Sequence, residues 1–99
     1  MFPFTFTVNA KPWSSSMKAD NSSLEFAAAV GLTVFHDEHK LALDTPIRID
    51  FHDAFDQGGT VTVENALRWA LSPQGTEALS EEGIAIYDLE TLAGKLGFK

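Results

Sequence analysis

Residues 2–8 read FPFTFTV: Phe2, Phe4, Phe6 and Val8 alternate strictly with Pro3, Thr5 and Thr7. A period of two is the geometry of a half-buried strand, and Pro3 suits the start of such a strand or a sheet edge. One sheet face is therefore committed to the core almost from the beginning of the chain. The same alternation returns in Ile47-Arg48-Ile49-Asp50-Phe51-His52, where the apolar residues point one way and Arg48, Asp50 and His52 the other, which predicts a strand over 46–52.

Between these two runs the pattern is weaker. Residues 9–23, NAKPWSSSMKADNSS, are polar and rich in turn formers, and they read as a surface loop with Trp13 folded back onto the body. Ser22 followed by Glu25 is a capping-box pattern that opens a short helix near 23–30, which Gly31 can end. The β-rich residues that follow predict strands near 32–36 and 40–44, joined by the polar Asp37-Glu38-His39-Lys40 turn.

Beyond Gln57-Gly58-Gly59 the period lengthens. Thr60 or Thr62 opens a helix near 63–72 with Val63, Leu67, Ala70 and Leu71 close to one stripe. Ser72-Pro73 caps a second helix near 73–82 that stops at Gly83. Ile84 to Tyr87 reads as a short strand near 84–87, and Asp88 as the cap of a last helix near 89–97, with Leu89, Leu92, Ala93 and Leu96 on one stripe. A β-rich first half and a helical second half predict an α+β fold in one domain, 1–99, with the helices on one face of a small antiparallel sheet.

Composition narrows the function classes. The 99 residues are 44% hydrophobic, including eight Phe, enough for one core and too many for a disordered chain. Without cysteine there are no disulfides, thiolate metal sites or cysteine nucleophiles, and a reducing cytoplasmic setting is favoured. Neither a secretory leader pattern nor an apolar run long enough to span a bilayer is visible, so no membrane association is expected.

Fourteen acids against seven bases leave a net charge of −7. Binding a nucleic acid requires cations that displace its counterions, so direct nucleic-acid binding is not expected. Charge is densest in two segments, Asp37 to Glu64 and Glu77 to Glu90, and the second contains five acids and no base.

Three local patterns touch on chemistry. From Asp53, Gly58 and Glu64 fall at the sixth and twelfth positions of an EF-hand loop, but Phe55 and Gln57 stand where oxygen ligands belong and a strand precedes the loop, so a calcium site is not predicted. The triplet Phe-His-Asp occurs at both 35–37 and 51–53. If the two triplets pair as strands, His36, His39 and His52 come together with carboxylates nearby, a donor set suited to a divalent metal and, with an open position, to hydrolysis. No catalytic nucleophile is predicted: no serine sits in a strand-to-helix elbow and no glycine pair precedes Lys-Ser/Thr.

The end of the chain, DLETLAGKLGFK, resembles the first helix and turn of helix-turn-helix DNA readers in its Leu-Ala-x-Lys-Leu-Gly run. The acids upstream oppose DNA, and an amphipathic helix accounts for the pattern.

These features favour a non-enzymatic protein-binding module that needs no cofactor and meets a partner protein with a basic surface. Asp37, Glu38, Asp50, Asp53 and Asp56 are the expected acidic contacts, with Trp13 and Trp69 as apolar anchors. Small acidic inhibitors that occupy the nucleic-acid groove of another protein, phage-encoded anti-CRISPR proteins among them, share this size and charge. A histidine-rich metal-binding domain or metal-dependent hydrolase is the alternative. A third reading is a structural or assembly subunit that forms homo-oligomers, with FPFTFTV pairing edge to edge with a second copy; the expected oligomeric state is a monomer or a homodimer.

Overall fold

The computed structural model describes residues 2–17, 24–37, 40–52 and 58–98, with the side chains of Phe2 and Met17 left out. The chain runs β1 (Phe2–Val8), β2 (Lys11–Met17), α1 (Leu24–Phe35), β3 (Pro46–Phe51), β4 (Gly59–Thr62), α2 (Val63–Ala70), α3 (Pro73–Glu81) and α4 (Tyr87–Leu96). The strands form one antiparallel sheet in the order β2-β1-β3-β4, so the α+β expectation holds.

The alternating FPFTFTV run is a central strand between β2 and β3, so it is not the edge through which the assembly reading pairs it with a second copy. Phe4, Phe6 and Val8 are buried, and they stand opposite Phe51, Ile49 and Ile47 of β3, which are also buried. Helix α1 lies across this face, touching β1, β3 and β4, and the other helices close around it. Phe26 and Leu32 of α1 meet Leu67 of α2, Leu79 of α3 and Leu89 and Leu92 of α4 in one core. Among the described residues no polar or charged side chain is buried.

Strand β2 replaces part of the expected loop. Asn9 and Ala10 have φ of 51° and 62°, the left-handed pair that a two-residue hairpin turn requires, and this turn pairs Val8 with Lys11 and Phe6 with Trp13. A Cβ in that conformation costs about 1 kcal/mol. Replacing Ala10 with Gly should therefore stabilise the protein by about 1 kcal/mol and raise its melting midpoint by about 4 °C. A thermal melt with no upward shift would contradict this turn geometry.

Several other boundaries differ from the sequence reading. Residues 32–36 are not a strand: α1 continues to Phe35, because Gly31 does not end the helix but seats it on β1. A Cβ at Gly31 would lie 2.1 Å from Cδ2 of Phe6, so only glycine permits this approach. Residues 40–44 form a turn, with the Ala42 N–H donating to Thr45 Oγ1 at 2.9 Å and the Thr45 N–H donating to the Ala42 carbonyl at 3.1 Å.

Residues 84 and 85 belong to the connection that leads into α4, while Ile84 and Ile86 pack against the core. Helix α4 opens at Tyr87 after Ile86, so Asp88 lies inside its first turn and is not its cap. The threonines at 60 and 62 belong to β4, the second unexpected strand, and Thr62 caps α2 by accepting from the Asn65 N–H at 3.1 Å. The expected Ser22 cap of α1 lies outside the described residues.

Candidate protein-binding surface

Of the acids expected to meet a partner, the two among the described residues, Asp37 and Asp50, both have a cation beside them. Asp50 stands on the outer sheet face, where strand alternation sets it beside Arg48, whose Nε and guanidinium nitrogen donate to Oδ1 at 3.0 and 2.9 Å. Asp37 follows α1, with one oxygen 3.7 Å from Nζ of Lys95 and the other 3.5 Å from Nε2 of His36. Each of these acids has a cation beside it that cancels part of its field. Glu38, Asp53 and Asp56 lie outside the described residues, as does His39.

The two tryptophans contribute to packing. Trp13 is half-buried on β2 and meets Phe4 and Phe6 edge-on, with ring centroids 6.1 and 6.4 Å away. Trp69 is half-buried on α2, edge-on to Phe26 at 5.7 Å.

The two described histidines occupy different sides of the sheet. His36 extends α1 on the helical side, where its Nδ1 donates to the Thr33 carbonyl at 2.8 Å and its Nε2 lies 3.7 Å from Asp88 of α4. His52 shares the outer face with Arg48 and Asp50, and its Nε2 is 2.6 Å from Thr5 Oγ1, which in turn lies 3.1 Å from Ser14 Oγ. Among the described residues the two Phe-His-Asp triplets do not pair, because Phe35 ends a helix while Phe51 ends β3, which pairs with β1 and β4. Among the described residues no three histidine, aspartate or glutamate side chains are arranged to hold a metal ion.

The helical end of the molecule carries charge of another kind. Glu77, Glu81, Glu82, Asp88 and Glu90 fall in a stretch without a base from residue 69 to 94. Asp88 and Glu90 occupy the first turn of α4, where the helix dipole favours an acid. Glu81 ends α3 and Glu82 follows it, with no base in the last turn, and there the dipole opposes an acid by about 0.3–1 kcal/mol. Helix stability thus explains the first pair and not the second.

Between these pairs in the chain stands Tyr87, 72% exposed. The only other large hydrophobic residue so exposed among the described residues is Val34, at 49%. The acidic run was visible in the sequence, but Tyr87, read as part of a strand, was missed. The signal available was its place as an aromatic between Glu82 and Asp88.

No helix among the described residues is long and apolar enough to cross a membrane. Comparison of the chain with protein-family models, curated proteins and solved structures gave no match.

Proposed function

We propose that the protein is a non-enzymatic protein-binding module that engages a basic surface of its partner through the acidic face of α3 and α4. The observation that carries this reading is an exposed aromatic, Tyr87, set between Glu81 and Glu82 at one helix end and Asp88 and Glu90 at the next. Tyrosine is a common hot-spot residue because it offers a large apolar area at low entropic cost. Acids around it steer a cationic surface into place and fix its orientation.

A surface evolved to hold nucleic acid presents the required lysines and arginines, so an acidic face of this kind suits an inhibitor that occupies a nucleic-acid groove in place of the phosphates. That is the narrower form of the proposal, in line with the likeness in size and charge to anti-CRISPR proteins.

The experiment is capture of the partner from host lysate, followed by titration of the purified partner with three variants. Tyr87→Ala should weaken binding at least about tenfold. Glu81→Lys with Glu90→Lys should weaken it by a similar factor and flatten the dependence of the association rate on salt. Asp50→Lys should do less, because Arg48 already offsets that carboxylate. If Asp50→Lys proves the most damaging variant, the outer sheet face is the binding site. If the captured partner binds nucleic acid equally well with and without the protein, the inhibitor form of the proposal fails.

A further inference from the structure

We propose that the free edge of β2 is a homodimer interface, joining two sheets into one across a two-fold axis at Ser15. This inference is independent of the acidic-face reading and rests on the hairpin.

Backbone direction fixes which groups are free. The His52 N–H donates to the Pro3 carbonyl at 3.0 Å, so Pro3, and with it Thr5 and Thr7, turns its backbone toward β3. Alternation then turns Phe4, Phe6 and Val8 toward β2, where they pair with Ser15, Trp13 and Lys11. The N–H and C=O groups of Ser14 and Ser16 therefore point away from β1, toward an edge with which no strand among the described residues pairs. Pro12 shares that direction, has no N–H to offer and limits the usable edge to one end of the strand.

Charge permits a second copy as the occupant. All fourteen acids lie at Asp20 or beyond, and residues 1–19 carry only the lysines at 11 and 18. On a protein of net charge −7, the hairpin is where a second copy can approach without setting acid against acid. With the two-fold axis at Ser15, Ser14 lies opposite Ser16 of the second copy and Ser16 opposite its Ser14. Each such pair exchanges both its N–H···O bonds, about four in all. Proline is kept out of these pairs, and small serines meet at the centre.

The sheet's other edge explains why assembly stops at two. β4 has only four residues, Gly59–Thr62, before α2 begins, and the Thr62 side chain is committed to capping that helix. One usable edge gives a closed, isologous pair and not a fibre.

The test combines sedimentation equilibrium with amide hydrogen exchange on the intact chain. The mass should double with a dissociation constant of about 100 μM, weak because a strand edge is a small interface. Over the same concentrations, exchange at the Ser14 and Ser16 amides should slow about fivefold while other exposed amides keep their rates. Ser14→Pro removes one edge donor but leaves the β1–β2 ladder intact, because that N–H faces outward, and this variant should remain monomeric.

Three results overturn the proposal: a wild-type protein that stays monomeric up to about 1 mM, a dimer in which Ser14 and Ser16 exchange at the monomer rate, or a folded Ser14→Pro variant that dimerises unchanged. Should that variant not fold, exchange in the wild-type protein decides alone. Protection of the two amides by a strand of another protein, with no self-association, overturns the second copy as occupant.

Discussion

Phe6→Ala is expected to lower the unfolding free energy by about 4 kcal/mol, a large part of the roughly 5–15 kcal/mol available to a domain. Phe6 is fully buried between three neighbours. Its ring stacks on Phe35 with centroids 5.3 Å apart, takes the edge of Trp13 at 6.4 Å, and fills the space beneath Gly31. Gly31→Ala drives a methyl into that ring, which costs about 1–3 kcal/mol, less about 1 kcal/mol gained from helix propensity. When the two changes are combined, the methyl enters space that the ring has vacated, so the double variant should be more stable than the sum of the single effects by about 1–3 kcal/mol. Urea unfolding of the four proteins measures the coupling. Simple additivity would mean that α1 is not seated on Phe6.

This pair of residues also shows why the sequence revealed some elements and hid others. Alternation in FPFTFTV and PIRIDF survives because one face of each strand is buried and the other is not. Helix α1 has no such contrast. Phe26, Ala27, Ala28, Ala29, Gly31 and Leu32 are all buried, so its apolar residues do not recur at helical spacing, and Val30 to Phe35 carries β-branched residues that favour a strand. Gly31 looked like a stop signal because sequence alone does not distinguish a glycine that ends a helix from one that lets it touch a strand.

Strand β2 was hidden for the opposite reason. Only Trp13 among its central residues contributes an apolar side chain to the core face, which is normal for an edge strand and too little for a pattern. The candidate surface divides in the same way. Total charge and the base-free run from Glu77 to Glu90 can be counted in the sequence. The pairing of Asp37 with Lys95 joins distant positions and exists only once α1 and α4 are packed. Tyr87 stands exposed because the helix begins at that residue, whereas a strand there would have tied it to the sheet.

Gly75→Ala is the second large effect, expected to cost about 3–4 kcal/mol from overpacking plus the loss of a helix cap. A Cβ at this position would lie 1.9 Å from the Trp69 carbonyl oxygen, 2.7 Å from its carbon and 3.0 Å from Cα of Ala70. All three are backbone atoms, and the corner between α2 and α3 holds them fast. Ser72 Oγ donates to the Trp69 carbonyl at 2.6 Å and accepts from the Gly75 N–H at 3.1 Å, while Thr76 Oγ1 donates to the Ala70 carbonyl at 3.1 Å. Relief of the clash requires opening this network. Gly94 is the internal comparison: it lies within α4, nothing stands within 4 Å of its missing Cβ, and Gly94→Ala should stabilise by about 0.5–1 kcal/mol. Chemical denaturation of both variants separates a steric effect from a general response to alanine, and equal effects of either sign would refute the tight corner.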